Sequence, residues 1–374
     1  MGLLDYYRQF EDVDQEEINR GLRERRARER ALALERVPPI DLSGTEWPEL
    51  PNSEIVNAAV YAARGGVNGY PDRHATALRA ALAARHGVQP EQIVVGNGAA
   101  ELLQAATLAL MGPGDELVTA WPSYPLYPLM AARAGGRPVA VNLAGSRVDP
   151  DALRDAVGER TRAVLICNPN DPTGTYLEAS QVGELASALP EHVYLLVDEA
   201  LVDFVDAEDR DATLRLLEAF PRLAVFRTFS KIYGLSGLRA GYAVGSAQAA
   251  TLLEAIAPAL GVNAMTQAGA IYALERSGPE IERRRRLVSE QRRRLLDALH
   301  DLSVDAPPSQ ANFVWLRAPS LTGAELTARL ERTGITVAPG GPLGDEDHVR
   351  AAIMGPAATV RLLAGLKQAL EGWG

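Results

Sequence analysis

Lys231 lies in Thr228-Phe-Ser-Lys-Ile-Tyr-Gly-Leu-Ser-Gly-Leu-Arg239-Ala-Gly-Tyr242, among small residues and glycines, with an arginine eight positions on. The apolar run Leu223-Ala-Val-Phe226 leads into it and reads as a buried strand ending at Lys231. A lysine amine stripped of water has a lowered pKa and attacks aldehydes. An arginine held nearby grips a phosphate with its planar fork. The bare spacing also fits a surface lysine and arginine on a loop, so the reading depends on what else the chain carries.

Four further clusters bear on it. Asp198, in Val197-Asp198-Glu199-Ala200, closes an otherwise apolar run. A carboxylate there is costly unless a cation meets it. It is either a helix N-cap or the partner of a protonated ring nitrogen, which turns that ring into an electron sink. Gly96-Asn97-Gly98-Ala99-Ala100-Glu101 follows a strand and opens a helix, where free backbone N–H groups make an anion site. Glu101 stands where a dinucleotide fingerprint needs its third glycine, and no Lys-Ser/Thr follows as in a P-loop. A dehydrogenase reading therefore fails. Cys167-Asn168-Pro169-Asn170-Asp171-Pro172-Thr173-Gly174 reads as an irregular loop that presents polar side chains, with Cys167 in the core rather than reactive. Trp121-Pro-Ser-Tyr124-Pro offers a ring to lay on a flat cofactor, or an ordinary buried tyrosine. Amine nucleophile, anion site, ring-nitrogen carboxylate and stacking ring together meet the needs of pyridoxal 5'-phosphate (PLP).

These residues need a scaffold. Apolar runs at 93–95, 116–119, 138–141, 163–166, 193–197, 224–226 and 241–244 alternate with helical segments. Near-continuous apolar strands between helices predict an α/β fold with a mostly parallel sheet covered on both faces. Ligands bind beyond the carboxyl ends of such strands, where most of the candidates fall. Past residue 262 the texture becomes that of a smaller α+β domain: helices, strand-like 312–316, helix 323–332, strand-like 335–337 and 349–353, and a closing helix. The expected division is a helical arm at 1–45, a large domain at 46–260 and a small domain at 261–374. The stretch 14–36 is rich in Glu, Arg, Leu and Ala and predicts a charged helix stopped by Pro38-Pro39. The run Arg283-Arg-Arg-Arg286 reads as a solvated helix face.

The chain has 374 residues, 47% of them hydrophobic and 23% charged, ordinary values for a globular protein. Its net charge of −10 argues against nucleic acid as a partner. One cysteine excludes an intrachain disulfide framework and fits a reducing cytoplasm. No apolar run is long enough to span a bilayer, and Met1 to Phe10 lacks the pattern of a targeting segment.

Taken together, Gly69-Tyr70-Pro71-Asp72, Gly96-Asn97-Gly98, Asn168-Pro-Asn-Asp-Pro-Thr-Gly174, Asp198-Glu-Ala, the Ser230-Lys231 to Arg239 spacing and Ser309-Gln-Ala-Asn312-Phe resemble the class I/II aminotransferases of PLP fold type I. The likeness runs from about Asp41 to the C-terminus. It is strongest to the histidinol-phosphate aminotransferase group, with threonine-phosphate decarboxylase as a near relative. The resemblance implies a large domain with a seven-stranded, mostly parallel sheet, and a homodimer. It implies that Lys231 forms the Schiff base, that Asp198 pairs with the ring nitrogen and that Tyr124 stacks on the ring. Arg239, Ser230, Thr228 and the Ala99 and Ala100 backbone would hold the phosphate, helped by Tyr70 from a neighbouring subunit. Arg350, with Asn312 close by, would take the substrate carboxylate, and Trp47 would either line the pocket or pack on the core. The implied substrates are an L-amino acid and a 2-oxo acid; no metal is implied. The alternative is a PLP-dependent amino-acid decarboxylase.

The chain departs from that pattern in three places. Asp171 stands where the family usually has an asparagine that donates to the cofactor's phenolic oxygen. Leu201 stands where a tyrosine usually donates to the same oxygen. Ala338 replaces an arginine that serves a substrate anion, and a lost charged hydrogen bond costs roughly 1.5–3 kcal/mol. That speaks against a phosphorylated substrate.

Overall fold

The computed structural model describes residues 15–34 and 38–371. Among the described residues, twelve strands build three sheets. The largest contains β2 (Ile93–Gly96), β3 (Glu116–Trp121), β4 (Arg137–Asn142), β5 (Thr161–Cys167), β6 (Tyr194–Asp198), β7 (Leu223–Thr228) and β8 (Gly241–Gly245), in the order β2-β8-β7-β6-β5-β3-β4. Every pairing is parallel except the two made by β8. The predicted mostly parallel seven-stranded sheet is therefore present.

Its inner strands are largely apolar because both faces are covered. On β5, Ala163, Leu165 and Cys167 point into one core cluster, while Val164 and Ile166 point into the other. Only β4, at the sheet edge, has exposed positions along its length. The carboxyl ends of β3, β5, β6 and β7 lie along one edge, and the start of the helix Ala99–Leu110 follows β2. All five predicted motifs follow these strands.

The other sheets are smaller. β9 (Phe313–Arg317), β11 (Ala338–Pro339) and β12 (His348–Ala352) form an antiparallel sheet in the order β11-β12-β9. β1 (Ile40–Asp41) pairs in parallel with β10 (Ile335–Thr336). Ala352 N–H also donates to the Leu42 carbonyl at 2.8 Å. Residues 40–42, at the end of the expected arm, are thus tied to the C-terminal sheets. Neither β1 nor β11 was foreseen, since two residues show no periodicity. The charged helix runs Gln15–Leu34, close to expectation.

Two expectations need correction. β7 ends at Thr228, not at Lys231. The Phe229 carbonyl accepts from Leu235 N–H at 3.0 Å, and the Lys231 carbonyl accepts from Gly234 N–H at 3.0 Å. The chain therefore turns directly after the strand, and Lys231 stands on that turn. The arginine run is not a uniformly solvated face either. Arg284 is buried: Nη1 donates to the Ile232 carbonyl at 2.7 Å, and the guanidinium lies 4.8 Å from the Trp47 ring centroid. A planar, weakly hydrated cation tolerates burial when its donors and its face are both satisfied.

One buried ion pair joins the two strands that carry the chemistry. Glu199 follows Asp198 at the end of β6, and Arg227 precedes Thr228 on β7. Arg227 Nε and Nη2 donate to Glu199 Oε2 at 2.9 and 2.7 Å, and Nη1 donates to Asp211 at 2.6 Å. Glu199 and Arg227 are both buried. Removing one partner leaves the other charge buried and uncompensated, which costs about 3–5 kcal/mol, whereas replacing both with apolar groups costs far less. Arg227→Met is expected to destabilise the protein by about that amount in urea unfolding. Arg227→Met combined with Glu199→Leu should recover most of the loss.

Candidate active site

A cavity of about 220 Å³ opens at the carboxyl edge of the large sheet. Nine of the expected site residues line it: Ala99, Ala100, Tyr124, Asp171, Asp198, Thr228, Ser230, Lys231 and Arg239. Glu46, Cys167, Ala200, Leu201 and Ser236 complete the wall.

One end is built to take an anion. The helix Ala99–Leu110 begins there, so its first N–H groups lack partners within the helix. Gly98, with φ +96°, turns the chain into the helix, and a Cβ at that position would run into the Arg239 guanidinium. Arg239 itself has a left-handed backbone, φ +56°, which is rare for a residue with a Cβ. Its guanidinium donates to Ser230 Oγ at 3.3 Å, the Ser236 carbonyl at 3.0 Å and the Asn97 carbonyl at 3.3 Å. Thr228 Oγ1 donates to Ser230 Oγ at 2.9 Å.

The other end holds a buried carboxylate. Asp198 Oδ2 accepts from the Tyr127 hydroxyl at 2.8 Å, and Oδ1 accepts from Ala200 N–H at 3.1 Å. Both donors are neutral. Burial pushes the Asp198 pKa up to about 6, against the opposing pull of these hydrogen bonds and of the Lys231 charge. Such a carboxylate is suited to a cationic partner. Tyr124 packs edge-on against Tyr127, with ring centroids 5.4 Å apart. Its hydroxyl is pushed up to about 12 by burial and by the Asp198 and Asp171 charges, so it stays protonated. Cys167 is buried, and burial holds its thiol well above the usual range. It is core, as expected.

Lys231 is part of the same wall. Burial lowers its pKa, so the neutral, nucleophilic amine is more accessible than on a free lysine. Nζ donates to Thr45 Oγ1.

Four expected residues stand outside the cavity wall. Arg350, on β12, reaches it through an ion pair with Asp171. Asn312 Nδ2 donates to the Thr45 carbonyl at 3.0 Å. Trp47 is buried beneath Arg284, with Nε1 donating to Glu49 at 3.2 Å, and does not face the pocket. Its indole is better satisfied by the guanidinium than by an open site. Tyr70 is 87% exposed and does not line the cavity of its own chain. Thr45, Glu46, Tyr127, Ala200 and Ser236 were not foreseen. Tyr127 lay three residues after the flagged Tyr124. Thr45 and Glu46 directly precede Trp47 in the sequence but carried no signal of their own.

Among the described residues no cluster of ligating side chains could hold a metal, and no helix is long and apolar enough to cross a membrane.

Solved PLP enzymes share this architecture. Histidinol-phosphate aminotransferase from Sinorhizobium meliloti, solved with PLP, superposes with a TM-score of 0.79 at 28% identity, covering 91% of this chain and 94% of the other. A Thermus thermophilus aspartate aminotransferase variant gives 0.79 at 26% identity, covering 91% and 95%. The fold is that of a fold-type I PLP enzyme. The model of the family described as aminotransferase class I and II matches residues 38–365, and the chain belongs to that family. It is a PLP-dependent transaminase, so the decarboxylase alternative is set aside. Among curated relatives, the aromatic amino acid aminotransferase of Corynebacterium jeikeium is 40% identical over 285 residues, covering 75% of this chain and 76% of its own. That of Rhodococcus jostii is 39% identical over 310 residues, covering 83% and 84%.

Asp198 gives a signed pH dependence in protein stripped of cofactor. Its folded pKa is raised, so its contribution to stability is full below about 3.8 and is lost as pH rises through about 6. The stability of the wild type relative to Asp198→Asn is expected to fall by roughly 3 kcal/mol between pH 3.5 and 7. Urea titrations across that range check it.

Proposed function

We propose that the enzyme moves an amino group between an L-amino acid with an uncharged, preferably aromatic, side chain and a 2-oxo acid. The observation that carries this reading is Arg350, whose guanidinium reaches the cavity wall from the small antiparallel sheet. A fixed arginine at that place suits a carboxylate on the carbon that bears the amine. The aromatic preference draws on relatives 36–40% identical that are aromatic amino acid aminotransferases. The histidinol-phosphate-like alternative needs a cation for the substrate phosphate. Ala338 stands opposite Arg350 in the β11–β12 register and supplies only a methyl group.

The residues present fit PLP, and the geometry supports the following roles. Bound there, PLP supplies an aldehyde for the substrate amine and a protonated ring that accepts the electron pair left at the α-carbon. The phosphate is assigned to Arg239, Ser230, Thr228 and the N–H groups of Ala99 and Ala100. Asp198, fixed by Tyr127 and Ala200, keeps the ring nitrogen protonated. Tyr124 covers the ring. Lys231 Nζ would take the proton from the substrate α-carbon and deliver it to the carbon of the cofactor's aldehyde group, acting as general base and then acid. Thr45 holds that amine aimed into the cavity, and Arg350 holds the carboxylate.

We assign Tyr70 to the phosphate site of a second copy. The helix Ser53–Gly66 and the residues after it expose Val56, Val60, Tyr61 and Val67 close to Tyr70 in sequence. A homodimer with shared sites would cover that surface. The single, buried Cys167 is the support for a cytoplasmic setting.

Borohydride reduction of the PLP-loaded enzyme should fix the cofactor to Lys231 alone, read by peptide mass spectrometry; attachment elsewhere would remove Lys231 from its role. In a donor screen, phenylalanine and tyrosine should convert the cofactor to its amino form faster than histidinol phosphate does. The reverse order would overturn the assigned side-chain preference. Gly98→Ala should lose cofactor on dialysis, since the new methyl displaces Arg239.

A further inference from the structure

We propose that Asp171 is a resident carboxylate on Arg350, and that a substrate gains Arg350 only by taking the place of Asp171. The inference rests on the assignment of Arg350 to the substrate carboxylate. Arg350 Nη1 donates to Asp171 Oδ1 at 2.5 Å. Nη2 donates to the Ser43 carbonyl at 3.1 Å. The guanidinium carbon lies 5.3 Å from the Phe313 ring centroid. Both terminal nitrogens of the fork are therefore engaged, and its planar group has an aromatic neighbour.

The pair is also nearly dry. The side chains of Arg350 and Asp171 are 12% and 11% exposed. An ion pair at that depth is screened by water far less than one on the surface. A second carboxylate arriving on Nη1 meets the first at hydrogen-bonding range, and like charges there repel strongly. Asp171 also lines the cavity, so displacing it turns a negative charge toward the space where Asp198 and Glu46 already face. A neutral asparagine at this position would leave Arg350 positive and unclaimed. The aspartate neutralises it, and so sets how tightly any amino acid or 2-oxo acid is held. Asp171 acts through Arg350 and is a positioning residue for substrate selection.

The test is the affinity of the PLP-loaded enzyme for 3-phenylpropionate, an inert monocarboxylate, by calorimetry at fixed pH and salt. Asp171→Asn is expected to tighten binding by about 10- to 100-fold, the range of one charged hydrogen bond. Asp171→Ser, too short to reach Arg350, should give the same gain. The KM for phenylalanine should fall in step, while 2-phenylethylamine, which has no carboxylate, should not bind more tightly. Unchanged or weaker 3-phenylpropionate binding in both variants would overturn the proposal. So would a gain in Asp171→Asn alone, which would belong to the new amide rather than to the freed arginine. Adding Arg350→Gln should abolish the gain. If the double variant binds as tightly as Asp171→Asn, the assignment of Arg350 itself fails. If Arg350→Gln weakens binding while neither Asp171 variant tightens it, only the present inference fails.

Discussion

The buried contact between Arg227 and Glu199 ties together the two strand ends that carry Asp198 and Thr228 into the site. Each residue is next in sequence to a residue of the cavity wall, Thr228 in one case and Asp198 in the other. Neither charge can be released into solvent where it stands, so the pair holds the ends of β6 and β7 at one separation. Asp211 and His86 extend the link to the helix Thr76–His86, with His86 Nδ1 3.2 Å from Asp211 and Nε2 2.9 Å from the Tyr242 hydroxyl. Burial lowers the His86 pKa, which keeps the imidazole in its neutral, bridging form. The support beneath the site is therefore electrostatic, while the rest of the sheet is held by apolar packing on both faces.

On this base the cavity separates two kinds of charge. Arg239 and the helix start gather donors at one end, and Asp198 keeps an acceptor buried at the other. Lys231 stands between them on a turn rather than on the strand, which lets its amine reach across to Thr45. The strained backbone of Arg239 belongs to the same design. A residue with a Cβ accepts a left-handed conformation there because it turns the guanidinium back toward Gly98, the position where no side chain could fit.

Much of this was legible from local signals. Apolar runs of strand length, each followed by a glycine, proline or aspartate cluster, gave the parallel sheet and the edge where the site lies. Asp198, Lys231 and Tyr124 were readable because each sits within a few residues of the end of such a run, and Arg239 through its spacing from Lys231. What escaped depends on contacts far apart in sequence. Thr45 meets Lys231 across 186 positions, and Arg350 meets Asp171 across 179. For Trp47 a pocket residue and a tryptophan packed on the core were both open, and a long arginine from the helix Gly278–Leu299 favours the second by covering its ring. The arginine run was misjudged because charge patterning along one helix carries no information about which member another element will cover.

The two-residue strand β1 has a mechanical meaning. By pairing with β10 and bonding to Ala352, it fastens the residues just before Thr45 to the sheets that carry Arg350. Thr45 on Lys231 and Arg350 on Asp171 are therefore two clasps sewn to one piece of cloth. The contact on the lysine and the contact on the aspartate are thus joined through one short backbone pairing.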